Sequence, residues 1–237
     1  MADWALKRFW KTASVADIDG GFTVHLDGRP VRTPAKNPLV LPSRAMAAAA
    51  AAEWDAQEGE VRPVTMPVMR GANAAIDKVS VQKDEVAALI AAYAESDLLC
   101  HRADSPEALV ARQAAAWDPL LDWARDALDA PLIPVAGVIP CDQPPESLRT
   151  LREQVSAMDA FTLTALHDLV GLSGSLVIGL AAMTDIQPVE TLWDISRIDE
   201  TWQEEQWGVD EEAAEVAEAK KRDFLQARRF LDLTRFS

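Results

Sequence analysis

Cysteine is scarce in this chain of 237 residues, which has only Cys100 and Cys141. His101 stands next to Cys100, but one adjacent pair cannot supply the four ligands of a tetrahedral metal site. A chain of this size buries roughly 70% of its unfolded surface and needs no disulfide for stability. We therefore expect two ordinary thiols in a reducing compartment, no metal and no other cofactor.

Long apolar runs are also missing. The longest one, Leu176 to Met183, is far shorter than the ~20 residues that cross a bilayer. Met1 to Lys11 is charged and resembles neither a secretory signal nor an organellar transit peptide. These absences predict a protein without membrane insertion, located in the cytoplasm.

Motifs for nucleotide binding and nucleophilic catalysis are absent as well. The segment 171–175 contains glycines but lacks the Gly-Lys-Ser/Thr ending of a phosphate loop. Only three histidines occur, His25, His101 and His167, and no serine lies in a Gly-x-Ser-x-Gly pattern. We expect no enzyme, although a site made of dispersed carboxylates leaves no readable pattern.

Acidic residues dominate the later part of the chain. Residues 1–83 hold 11 Lys or Arg and 9 Asp or Glu, whereas residues 84–237 hold 12 and 29. The net charge of −15 repels phosphate backbones, so nucleic acid is excluded as a partner. The acidic part would attract a basic protein surface, but the charge is equally explained by solubility alone.

The first eighty residues carry strand and turn signals. Phe22, Val24 and Leu26 alternate with polar residues, and Asp27-Gly28 then favours a tight hairpin turn. Ser43 is a cap for an alanine-rich helix that includes Trp54. Residues 1–82 are predicted to form a small N-terminal α+β domain with a β-hairpin.

From residue 83 onward the apolar residues recur with helical spacing. Asp118-Pro119 predicts a break between two helices. A proline-rich connection is expected over 130–146. Residues 83–237 are predicted to form an all-α C-terminal domain, with further helices over about 147–170, 174–184 and 187–207 and a last one from Asp210.

The predicted helix over 187–207 places a carboxylate in an unusual position. Asp199 falls in the middle of the apolar stripe that includes Leu192 and Trp202, and Glu200 falls on its margin. A carboxylate there is costly unless it is paired or hydrogen-bonded. Either it pairs internally with an arginine, or it is held for a positive or N–H group of a partner.

Tryptophan is abundant, with eight residues. Trp54, Trp202 and Trp207 each lie beside acidic residues or glutamines. A large indole is suited both to a core and to an interface, so both roles stay open for these three.

Several segments along the chain resemble one known family. They are Ser196-Arg-Ile-Asp-Glu-Thr-Trp-Gln-Glu-Glu-Gln-Trp-Gly208, Glu53-Trp54-Asp55-Ala-Gln57, Trp117-Asp118-Pro119-Leu-Leu-Asp-Trp123 and the early hairpin. Together they resemble the Atp-twelve family of ATP synthase assembly chaperones. The resemblance implies an α+β domain followed by a helical domain. It also implies a protein, without nucleotide hydrolysis, that binds the unassembled α subunit of F-type ATP synthase and delivers it to the catalytic head.

The resemblance also indicates a client-binding site. It assigns function to the acidic pair Asp199 and Glu200 and matches Trp54, and we add the neighbouring Trp202 and Trp207. The protein is expected to be a monomer when free and a bacterial cytoplasmic member, whereas eukaryotic relatives act in the mitochondrial matrix. Two alternatives stay open: an acidic binding module for another basic client, and a small cytoplasmic hydrolase that uses Asp199 and Glu200 as acid and base.

Overall fold

The N-terminal hairpin forms as predicted and is part of a three-stranded antiparallel sheet. The computed structural model describes residues 7–137 and 141–235. The strands are β1 (Ala13–Ile18), β2 (Gly21–Leu26) and β3 (Arg29–Pro30), in the order β1-β2-β3. Asp27 and Gly28 connect β2 to β3 with φ angles of 47° and 80°, the left-handed geometry of a tight hairpin turn.

Strand β1 has no clear signal in the sequence, because its residues do not alternate between apolar and polar. It forms through pairing with β2, for example Val15 opposite Val24. Outside these strands, the segment 39–41 makes an isolated bridge between Leu41 and Phe22. Its leucines are nevertheless fully buried, as expected for core residues.

Helix α1 (Arg44–Asp55) packs on this sheet. The Ser43 hydroxyl accepts a hydrogen bond from the Met46 backbone N–H at 2.9 Å, which confirms the predicted cap. Ala47 and Ala50 have no exposed surface, and their short side chains let the helix approach the strands closely. Helix α2 (Pro67–Ala74) follows and continues into a π-helical turn over Ala75–Val79.

The remainder is mostly helical. Two short strands, β4 (His101–Arg102) and β5 (Val135–Ala136), pair in parallel, so the described C-terminal part is not purely α as predicted. The helices are α3 (Lys83–Ala91), α4 (Glu107–Leu128), α5 (Pro145–Ser156), α6 (Ala160–Ser173), α7 (Leu176–Ala182), α8 (Val189–Ser196), α9 (Ile198–Trp207) and α10 (Glu211–Arg235). The α+β fold class is confirmed. Residues 138–140 of the predicted connection, and residues 1–6 of the charged N-terminal segment, lie outside the described residues.

Helix α4 continues through Pro119, so the predicted break at this proline is wrong. Trp117, Leu120 and Ala124 are buried on one stripe of α4. Their packing offsets the loss of the backbone hydrogen bond that the proline cannot donate.

Two predicted long helices are each interrupted. The helix predicted over 147–170 consists of α5 and α6, and the Asp159 carboxylate caps α6 by accepting from the N–H groups of Phe161 and Thr162. The helix predicted over 187–207 breaks at Arg197, which has φ −111° and ψ 16°. This second break changes the surroundings of Asp199.

The chain divides into two compact units. The first comprises Met1–Gln82, Asp159–Ala165 and Arg229–Ser237, and the second comprises Lys83–Met158 and Leu166–Arg228. The later segments of the first unit come from α6 and α10. A domain division into residues 1–82 and 83–237 therefore stays a prediction.

Candidate functional site

Four of the five predicted site residues lie on α9, in the second unit. Asp199 and Glu200 occupy its first turn, where the free N–H groups of the helix favour negative charge. Trp202 follows in the next turn and Trp207 is the last residue of the helix. The fifth residue, Trp54, belongs to the first unit.

Asp199 is held by a buried amide rather than by an arginine. Its Oδ1 accepts a hydrogen bond from Gln113 Nε2 on α4 at 2.6 Å. Gln113 is only 1% exposed, and its Oε1 accepts from the Ala103 backbone N–H at 2.8 Å. No ion pair joins Asp199 to an arginine within the ranges that the structure describes. Asp199 therefore completes a hydrogen-bond chain from the loop before α4 to the start of α9.

Glu200 faces outward. It forms an ion pair with Arg197 at 2.8 Å, and its side chain remains 45% exposed. The Arg197 guanidinium also lies over the Trp193 ring, 5.7 Å from the ring centroid. An exposed pair of this kind contributes little to stability, so Glu200 can exchange its partner at low cost.

Trp202 is half-buried beneath an arginine of α4. The Arg112 guanidinium lies 5.0 Å from the Trp202 ring centroid and donates two hydrogen bonds to Glu205, at 2.9 and 2.8 Å. These hydrogen bonds lower the pKa of the Glu205 carboxyl below its ordinary value. The three side chains link α4 to α9 on the surface.

Trp207 differs from the other tryptophans of the predicted site because it is 80% exposed. An exposed tryptophan is suited to anchor an interface, because Trp is enriched among the residues that dominate binding energy. Among the five predicted residues, it offers the most apolar area to a partner.

Trp54 is only 9% exposed and packs edge to face against Trp10, with ring centroids 5.1 Å apart. Its indole therefore stabilises the core of the first unit. A client-binding role for Trp54 stays a prediction, and the geometry gives it less free surface than Trp207.

The residues around Trp54 have local structural roles. The Glu53 carboxylate accepts hydrogen bonds from the N–H groups of Val68 and Met69, at 2.8 and 2.9 Å, at the start of α2. Burial raises the pKa of Glu53, and these two hydrogen bonds counteract part of that rise. Gln57 accepts from the Arg62 backbone N–H at 2.7 Å. The Glu53–Gln57 segment thus organises the connection between α1 and α2.

A groove runs between α8, α9 and the first half of α10. It consists of two hollows of about 340 and 390 Å³ that share Arg197 and Ala217. The first is lined by Arg112, Trp193, Asp194, Arg197, Ile198, Glu200, Thr201, Glu204 and Ala217, and the second by Arg197, Asp210, Glu212, Ala213, Val216, Ala217 and Lys220. The groove is open, and both apolar and charged side chains line it.

Comparison with known proteins identifies the family. The model of the family described as ATP12 chaperone protein matches residues 7–125, about half of the chain. The crystal structure of Atp12 from Paracoccus denitrificans is 48% identical, covers 98% of this chain and 100% of its own, and superposes with a TM-score of 0.95. The chain belongs to the ATP12 chaperone family.

Other relatives agree with this assignment. An aspartate-to-lysine mutant of the P. denitrificans protein is 48% identical with a TM-score of 0.94, over 96% of this chain and 97% of its own. A candidate chaperone from Agrobacterium tumefaciens is 46% identical with a TM-score of 0.91, and the match covers 95% of this chain and 85% of its own. The mitochondrial atp12 protein of Schizosaccharomyces pombe is 23% identical over 224 residues, which are 90% of this chain and 77% of that protein. The family provides assembly chaperones of the F1 part of ATP synthase.

Sequence reasoning missed two residues of α4 that contact the predicted site residues, Arg112 and Gln113. A signal for Gln113 was present, because it lies on the same apolar stripe as Trp117 and Leu120. An amide on one apolar stripe and a carboxylate on another need partners, so they could have been matched with each other. Arg112 has no such signal, since an exposed arginine fits any helix surface.

The site gives no support to the hydrolase alternative. Asp199 binds Gln113 and Glu200 binds Arg197, so the two carboxylates do not face one shared position. No group of three or more His, Cys, Asp or Glu side chains among the described residues could hold a metal ion. The names of the relatives as chaperones fit a binding function.

Among the residues that the structure describes, no helix has the length and apolar character to cross a membrane.

Proposed function

We propose that this ATP12-family protein binds the unassembled α subunit of F-type ATP synthase and holds it, without ATP, until the catalytic head is built. The observation that carries the proposal is the exposed acidic and aromatic surface of α9. Trp207 is 80% exposed there, and the carboxylate of Glu200 remains accessible in the same helix. Family membership supports the assembly role.

The physical requirements of this task suit such a surface. An unassembled subunit exposes apolar area that its partner subunit will later cover. A stable one-to-one complex must cover about 1,200–2,000 Å² in total, with aromatic side chains as anchors. Release needs only a competitor that binds better, because each ~1.4 kcal/mol changes the affinity tenfold.

The test is the aggregation of isolated α subunit, followed by light scattering with no nucleotide present. We expect suppression that is complete near a one-to-one ratio and unchanged by added ATP. An unrelated aggregation-prone protein serves as the control and should not be protected. Suppression that requires ATP, or equal protection of both proteins, would contradict the proposal.

The same preparation tests the remaining expectations about partners. Size-exclusion chromatography with light scattering should show a free monomer and a one-to-one complex. The 48% identity to a bacterial relative supports the proposed location in a bacterial cytoplasm. Affinity capture from a bacterial extract should recover the α subunit, whereas recovery of a different basic protein would favour the acidic binding module.

A further inference from the structure

Helix α10 carries one apolar stripe along its length, but only its later part is covered. Phe224 and Ala227 are 0% and 6% exposed, and Phe224 packs against Trp193 with ring centroids 5.6 Å apart. Ala213 and Val216 are three residues apart and lie on the same face nearer the N-terminal end of the helix, with Val216 eight residues before Phe224. Val216 is 51% exposed and Ala213 is also exposed. The first half of α10 therefore presents a core-like stripe with no core against it.

Two further apolar side chains precede this stripe. Trp207 ends α9 and Val209 lies in the connection to α10; they are 80% and 66% exposed. In the described part of the chain, three of the ten strongly exposed large apolar residues thus fall within ten consecutive positions. We define the arm surface as the apolar side chains Trp207, Val209, Ala213 and Val216 together with the glutamates Glu211, Glu212, Glu215 and Glu218.

The charge of the arm surface selects its occupant. The 21 residues from Asp199 to Ala219 contain nine Asp or Glu and no Lys or Arg. In a symmetric dimer, a second copy of this chain would bring the same acidic surface, and like charges at an interface are unfavourable. A partner with lysines or arginines around a few apolar side chains is complementary in both respects.

We propose that the arm surface is a docking site for a basic, apolar-bearing segment of the client protein. This inference rests on the proposed function, because it takes the α subunit as that client. Apolar client side chains cover Trp207 and Val216, and client lysines or arginines meet Glu211, Glu212 and Glu215. Since these charges are exposed, attraction between them acts mainly on the association rate and weakens with salt.

The experiment measures the dissociation constant for isolated α subunit by biolayer interferometry at low and high salt. Trp207→Ala is expected to weaken binding roughly 30-fold, the size of an interface hot spot. The pair Glu211→Gln with Glu212→Gln is expected to weaken binding about threefold to tenfold at low salt and to reduce its salt dependence.

Two matched controls lie outside the arm surface, Val81 in the first unit and the pair Asp84 and Glu85 in the second. Val81→Ala shortens an apolar side chain that is 74% exposed, an exposed fraction comparable to the 80% of Trp207. Asp84→Asn with Glu85→Gln neutralises two exposed acids in the first turn of α3, as the test pair does in the first turn of α10. Both controls should bind like the parent protein. Thermal melts of all variants confirm that each one is folded.

The outcomes separate this inference from the proposed function. If the parent protein does not bind α subunit, the proposed function fails and this docking site fails with it. If the parent protein binds but Trp207→Ala and the glutamine pair bind equally well, the function stands and the arm surface is overturned. The inference is also overturned if sedimentation shows a dimer that Trp207→Ala dissociates, because the occupant is then a second copy.

Discussion

Substitution of Asp199 by alanine tests the hydrogen-bond chain between α4 and α9. The change removes the acceptor of the 2.6 Å hydrogen bond from Gln113 Nε2. Gln113 is 1% exposed, so its Nε2 donor loses its acceptor in a buried position, while its Oε1 still accepts from the Ala103 N–H. An unsatisfied buried donor costs about 1–3 kcal/mol. Loss of an acid from the first turn of α9 adds about 0.3–1 kcal/mol. Together they come to about 1.3–4 kcal/mol, a range that begins below the roughly 3–5 kcal/mol expected if an arginine were left unpaired.

Asp199→Asn is the matched variant, because it keeps an oxygen acceptor for Gln113. It loses only the charge, so we expect its free energy of unfolding to fall by less than about 1 kcal/mol. Urea denaturation measures the stability of both variants. The shift in the midpoint urea concentration is multiplied by a common slope to give the change in free energy of unfolding. Binding to isolated α subunit is measured on the same preparations.

Two results would refute this reasoning. If Asp199→Ala unfolds at the same urea concentration as the parent protein, the hydrogen bond to Gln113 contributes nothing. If the alanine and asparagine variants lose equal stability, the charge matters and the acceptor does not. Full stability with lost client binding in both variants would instead show that the Asp199 charge meets the client.

Two other predictions concern stability. Burial raises the pKa of Asp97 above its ordinary 3.8, against hydrogen bonds such as the one from Ser175, so the folded chain holds this proton more tightly than the unfolded chain. The stability gained from protonated Asp97 is fully present below pH 3.8 and is lost as pH rises through the folded pKa. Urea titrations at several pH values across this range should show the parent losing stability relative to Asp97→Asn. If the free energies of unfolding of the two proteins change in parallel with pH, this prediction is wrong. Gly71→Ala should cost about 1–3 kcal/mol, because its Cβ would lie 2.6 Å from the Phe230 ring. Gly171→Ala has no atom within 4 Å of the new Cβ and should stabilise α6 by about 0.5–1 kcal/mol, so equal thermal shifts for the two glycines would contradict the packing argument.

Local chemistry in the sequence determined the elements whose causes lie within a few residues. Asp27-Gly28 predicts its turn because both residues accept positive φ, and the structure has that turn. Ser43 predicts the start of α1 because its hydroxyl reaches an N–H three residues later. The family could be recognised from three segments in their order along the chain, Glu53–Gln57, Trp117–Trp123 and Ser196–Gly208. Recognition by similarity does not require knowledge of which residues are in contact.

Tertiary structure decided whatever depends on residues far apart in the chain. Pro119 favours a break, but burial of Trp117 and its stripe keeps α4 continuous. Asp199 and Gln113 are 86 positions apart, and only folding makes the amide rather than an arginine the partner of the carboxylate. In the sequence, Trp54 lies between two acidic residues and Trp207 follows a glutamine, and neither pattern indicates exposure, yet one side chain is 9% and the other 80% exposed. Exposure is a property of packing between elements, so the sequence named both tryptophans as site residues and the fold distinguished them.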